Sequence, residues 1–87
     1  MKTSKKPGKA VKKELQVFLY TVGDNLYNLR MEKKESLKRV AKAVKISPAK
    51  LSKLEKGLCP QCRIGVLFRL AEYFKINTLD IVTKGKF

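Results

Sequence analysis

Leu15, Phe18, Leu19, Val22, Leu26 and Leu29 recur at i, i+3, i+4, i+7, i+11 and i+14. That spacing lines one face of a helix and does not fit a strand, whose faces alternate every second residue. The stretch QVFLYTV, residues 16–22, has strand-like composition, but the period and its continuity favour a long helix from about Ala10. Gly23 is its weak point, where the helix is able to divide in two. MEKKE, residues 31–35, then reads as a turn.

The rest of the chain continues in short helices. Ser36 can cap a second helix over residues 37–44, with Val40, Ala41 and Val44 inward and Ile46 apolar in the turn that follows. Ser47-Pro48 is a strong helix start, with Ser at the N-cap and Pro in the first helical position. The third helix turns Leu51 and Leu54 inward and ends near Gly57, which accepts the left-handed conformation. IGVLFRLAEYF, residues 64–74, makes a fourth helix on Leu67, Leu70, Ala71 and Phe74. Asn77 with Asp80 resembles a capping pair for a fifth, through Val82. No internal repeat and no convincing strand is present. The expectation is an all-α compact bundle of about five helices with an extended N-terminal helix and short connections.

Eighty-seven residues make one small domain. An apolar content of 44% is enough for one core. No run of about 18 apolar residues exists to cross a membrane, and no apolar segment of secretory type follows the basic N-terminus. With two cysteines, this points to a cytoplasmic protein.

The formal net charge is +14. Such an excess points to a polyanion, most often nucleic acid, with an anionic membrane surface as the competitor and plain solubilising lysines as a third reading. The charge is uneven. Residues 1–13 carry six lysines and no acid, and residues 32–56 carry nine basic and three acidic residues. Residues 1–9 are read as a basic flexible arm, 10–83 as the folded domain and 84–87 as a C-terminal tail. The arm either reaches into a neighbouring groove and tracks phosphates or is a solvated tail. Enzymatic chemistry is not expected. Histidine is absent, the seven carboxylates form no motif, and the five glycines make no phosphate loop. No cofactor is implied.

Two short helices joined by a turn within a basic segment are what a helix-turn-helix needs. The second helix must bury one face and offer a polar or basic one. Here Leu51 and Leu54 turn inward while Pro48, Ala49, Lys50 and Lys53 turn outward. The same pattern also serves an ordinary exposed helical corner.

SLKRVAKAVKISPAKLSKLEKG, residues 36–57, resembles the helix-turn-helix of the lambda-repressor/Cro type, the XRE family. The resemblance runs from about Val22 to about Val82. It rests on the small Ala41, the apolar Val40, Val44, Ile46, Leu51 and Leu54, the closing Glu55-x-Gly57, and the downstream LFRLAEYFKIN. Three departures stand out. Lys45 occupies the turn position that is usually Gly, at a cost of roughly 1 kcal/mol for left-handed backbone. Leu37 replaces the frequent Gln at the start of the motif helix. The loop after Gly57 looks one residue longer than the common pattern.

The resemblance implies a lambda-repressor-like bundle with the motif at about residues 37–56, acting on double-stranded DNA in a bacterial or phage-type, nucleoid-associated setting. Pro48, Ala49, Lys50 and Lys53 would face base edges. Lys50 and Lys53 can donate to guanine O6 and N7, and Ala49 can meet a thymine methyl. Pro48 donates nothing and would shape rather than read. Ser36, Ser47 and Lys56 fall at phosphate-contacting positions, with Arg63 nearby. Arg30 and Glu55 match the family's ion pair tying the first helix to the third. Losing one partner of a well-buried pair costs about 3–5 kcal/mol.

Three functions compete. The first is a sequence-specific transcriptional regulator, a repressor, working as a homodimer on half-sites about one helical turn apart. The second is an antitoxin that autoregulates its promoter and binds a toxin through the long first helix and tail. The third is a non-specific nucleic-acid binder driven by charge. Phe68, Ile81 and Val82 are candidates for a dimer surface and equally for core.

GLCPQCRI, residues 57–64, holds both cysteines. Zinc needs about four ligands, and this chain offers Cys59 and Cys62 with no His, so no metal is expected without a second chain. The spacing also resembles the Cys-Pro-x-Cys of thiol oxidoreductases, but their βα surroundings are missing. A regulatory disulfide stays open. The leading reading is a loop stiffened by Pro60 beside the reading helix.

Overall fold

The structure, a computed structural model, describes residues 9–60 and 63–87, with side chains from Lys12 onward. Among these residues five helices follow one another and no strand occurs: α1 (Lys9–Glu32), α2 (Leu37–Ala43), α3 (Pro48–Glu55), α4 (Ile64–Phe74) and α5 (Thr78–Ile81). The basic arm falls outside the described residues except for Lys9, which opens α1. The turn expected at residues 31–35 begins two residues late, since Met31 and Glu32 remain helical.

Side-chain caps set the starts of the two short helices. The Ser36 hydroxyl accepts from the Arg39 amide, and the Ser47 hydroxyl accepts from the Lys50 amide, each at 3.0 Å. Both serines have extended backbone, as an N-cap requires. Asn77 holds the N-cap position of α5, but its side chain makes no capping bond. The reciprocal pair expected with Asp80 does not form, and the Asp80 carboxylate instead approaches Lys86 at 3.6 Å.

Helix ends follow one chemistry. Lys34, Lys45 and Lys75 take left-handed backbone after α1, α2 and α4, at φ of 55°, 63° and 59°. Glycine would fit these positions without strain. A lysine there instead brings a cation to the carbonyl end of the helix, which partly offsets the strain through the helix dipole. Gly57 closes α3 at φ 72°. A Cβ there would also run into the ring of Tyr20.

The core lies where the C-terminal half of α1 packs on α3 and α5, with α2 on α3 and α4 on α5. Leu26, Leu29, Val40, Ala41, Leu51 and Leu70 are sealed within it. So is Ile81, which is therefore core and not dimer surface, while Val82 is half-buried on the same cluster. Phe68 stays exposed.

Two expectations for α1 change. Gly23 does not divide the helix, which runs through it unbroken. Its lack of a side chain serves packing, because a Cβ would stand 2.5 Å from the Glu55 carbonyl oxygen and 2.7 Å from that of Leu54. The end of α3 can approach α1 only over a glycine. The apolar stripe also outruns the bundle: Leu19, Val22, Leu26 and Leu29 are buried, but Leu15 and Phe18 are exposed.

Asn25 is the buried polar residue on this face. Its amide nitrogen donates to the carbonyl oxygens of Ile81 at 2.7 Å and Thr83 at 2.8 Å, with Asp80 at 3.3 Å. One side chain thus satisfies the open carbonyls at the end of α5 and ties it to α1. The last residues fold back as well, since Asn28 donates to the Phe87 carbonyl at 3.4 Å and the Phe87 ring packs against the core.

Candidate nucleic-acid interface

α3 presents two faces of opposite chemistry. Leu51 and Leu54 are buried, whereas Pro48, Ala49, Lys50 and Lys53 are all exposed. Its anchor is a fork. Arg30 of α1 donates from Nε to Glu55 Oε2 at 2.7 Å and from Nη2 to Oε1 at 3.0 Å. The third nitrogen, Nη1, donates to the Glu35 carbonyl at 3.0 Å, and the guanidinium lies 5.7 Å from the Tyr27 ring centroid. The side chains are 12% and 6% exposed. The hydrogen bond to Glu55 outweighs the desolvation of the guanidinium and raises its already high pKa, so Arg30 stays charged. A bidentate pair fixes orientation as well as distance. The tilt of α3 on α1 is therefore set at its C-terminal end, and Gly23 sets how closely the two approach.

The turn between α2 and α3 is held by a residue that sequence reasoning missed. Arg69 of α4 donates from Nε to the Val44 carbonyl at 2.9 Å. Val44 is the C-cap of α2, with Lys45 left-handed behind it. A carbonyl freed by the helix end is thus paired across the fold. The arginine stands in the fourth helix 25 residues away, and no local pattern marks it.

The phosphate candidates surround this unit. Ser36 and Ser47 spend one acceptor lone pair on capping, which leaves each hydroxyl hydrogen free to donate outward. Lys56 is exposed just past α3, and Arg63 is the exposed N-cap residue of α4. Lys38, Lys42 and Lys45 are exposed on α2 and its turn.

Beside the outer face of α3 runs an open slot of about 460 Å³, walled by Ala49, Lys50, Lys53, Leu58, Cys59 and Pro60. Leu58 is 59% exposed on its rim, a second residue that sequence reasoning passed over. Cys59 is half-buried against the core. Cys62 lies outside the described residues, as does any pairing of the two. Among the described residues no group of three potential metal ligands comes together. No helix there is long and apolar enough to cross a membrane.

Two short helices joined by a tight turn, the second basic on its exposed face, make a helix-turn-helix. Comparison with protein families agrees: the model of the Cro/C1-type helix-turn-helix DNA-binding domain matches residues 25–83. The chain belongs to this family, and the resemblance seen in residues 36–57 is its central part. No curated protein and no solved structure matched the chain. The match leaves out the N-terminal part of α1, which includes Leu15 and Phe18.

Proposed function

We propose that this protein is a sequence-specific regulator of transcription, a repressor, that binds double-stranded DNA as a homodimer on a two-fold operator. The observation that carries the reading is the split character of α3. Its buried side is locked by Leu51, Leu54 and the Arg30–Glu55 fork, and its free side offers two ammonium groups around a methyl. A rigid helix of this kind can read a major groove, because side-chain positions fixed by packing turn sequence into energy.

In this reading Lys50 and Lys53 donate to guanine edges, Ala49 meets a thymine methyl and Pro48 shapes the helix start. Ser36, Ser47, Lys56 and Arg63 bind phosphates and set the register. A net charge of +14 supplies the attraction to DNA that specificity then refines. Every residue in this set serves occupancy of a site, and occupancy by itself blocks a promoter, which favours repression over activation.

Selection from random DNA, followed by affinity measurements across salt, tests the reading. The expected result is a two-fold site with half-sites about 34–36 Å apart. Lys50→Ala or Lys53→Ala should lose about 1–3 kcal/mol at one base pair and relax preference there. Lys56→Ala should weaken all DNA alike and reduce the salt slope by about one. Equal affinity for selected and scrambled DNA at every salt concentration would show a non-specific binder instead.

A further inference from the structure

Leu58 follows the glycine that closes α3, and its side chain is well exposed. Its backbone is nonetheless fixed. The Gly57 amide donates to the Leu54 carbonyl at 3.1 Å, and the Leu58 amide donates to the Lys53 carbonyl at 2.9 Å. With Gly57 left-handed, these two bonds make a Schellman cap. In the common form of this cap, an apolar residue at the place of Leu58 packs on an apolar one near the place of Lys53. Here that second residue is a lysine of the outer face. The cap therefore brings the leucine to the outer face as well, where it walls the slot beside α3 together with Ala49, Lys50 and Lys53. The turn is held on both sides of Leu58. Gly57 lies against the Tyr20 ring of α1, and Cys59 packs against the core.

We propose that Leu58 is a specificity-determining residue of the DNA interface, reading the methyl group of a thymine beside the bases that meet Lys50 and Lys53. This role rests on the DNA-reading orientation of α3 given above and adds a reader from outside the helix. The major-groove edges of the bases offer hydrogen-bond donors and acceptors and one apolar group, the thymine methyl. The slot holds the matching chemistry: two ammonium groups as donors and the isobutyl group of Leu58. A surface seated on Leu58 also faces Lys50 and Lys53, so in a chain of +14 the complementary partner is anionic. DNA brings the negative charge and the methyl together. Because the turn is fixed before DNA arrives, contact orders only the leucine side chain, which keeps the entropic cost small. Leu58 lies past the C-terminal end of α3 and Ala49 in its first turn, so the two apolar groups address different base pairs.

The test uses the whole chain and the duplex it selects from random DNA, remade with deoxyuridine in place of thymine at one position at a time. Deoxyuridine keeps the hydrogen-bonding groups of thymine and lacks the methyl. At one thymine the wild type should lose about fourfold in affinity, the worth of one buried methyl group. Leu58→Ala should lose a similar factor on the unmodified duplex and should bind thymine and deoxyuridine alike at that position. Leu58→Met, of nearly the same volume, should restore the dependence on the methyl. Position 58 is exposed, so both variants should melt as the wild type does. A deoxyuridine profile that is identical in the wild type and Leu58→Ala overturns the proposal. Base preference through Lys50 and Lys53 would then still stand, and the regulator reading with it. An equal loss by Leu58→Ala on selected and scrambled DNA also overturns it, since Leu58 would then only support the turn. A chain with no base preference at any position strikes both readings.

Discussion

The two halves of α1 share one helical apolar period and meet opposite fates. Residues 22–30 bury Val22, Leu26 and Leu29, close the end of α5 through Asn25 and clamp α3 through Arg30. Residues 15–20 are the more apolar stretch, five of six residues against four of nine in 22–30, yet Leu15, Val17, Phe18 and Tyr20 stay exposed and Leu19 alone is buried. Helical periodicity is the same in both halves. What differs is whether another element lies opposite. An apolar stripe states that something should cover it, and only the fold determines whether the chain itself does so.

Substitutions can sharpen or break this contrast. The largest effect should come from Leu26→Ala, which empties a site 1% exposed at the centre of the bundle. A loss of about 2–5 kcal/mol in denaturant unfolding is expected. Arg30→Met should come next, because it leaves the Glu55 carboxylate unpaired at 6% exposure. About 3 kcal/mol should be lost. DNA specificity should also blur as α3 loosens, a readout that Leu26→Ala in the same half-helix would share only through global unfolding.

Gly23→Ala sits at the boundary between the halves. In an ordinary exposed helix this change stabilises by about 1 kcal/mol. Here the added methyl would press on the carbonyls of Leu54 and Glu55, so a net loss of about 1–3 kcal/mol is expected from the thermal midpoint. A stabilised variant would mean that α3 lies farther from α1 than described. The smallest effect belongs to Phe18→Ser. In dilute protein its unfolding free energy should change by no more than about 0.5 kcal/mol. A large loss in dilute protein would show that Phe18 belongs to the core of the single chain, which would end the contrast.

Much of the fold was legible because its signals are local. Ser36 and Ser47-Pro48 mark helix starts through one side-chain bond each, and Gly57 marks an end through backbone conformation. The left-handed Lys45 could be anticipated only from the resemblance to the family's turn. Periodicity placed Leu51 and Leu54 inward and so turned Lys50 and Lys53 outward. Arg69 and Leu58 escaped notice for the opposite reason. The partner of Arg69 is a carbonyl in another helix, and the significance of Leu58 is a slot formed by two segments. Asn77 shows a local signal misleading: the residue types of a capping pair are present, but Asp80 is drawn to Lys86.

The sequence by itself determined the helical class, the positions of α2 through α5 to within a residue or two, and the basic character of the exposed face of α3. Each of these follows from the chemistry of neighbours along the chain, at spacings of one to four residues. Only the tertiary structure decided why α1 carries a glycine at position 23, what holds the turn before α3, and where the core runs out along α1. Those depend on which surfaces meet across 25 residues or more of chain, and an apolar residue looks the same in sequence whether its cover is present or missing.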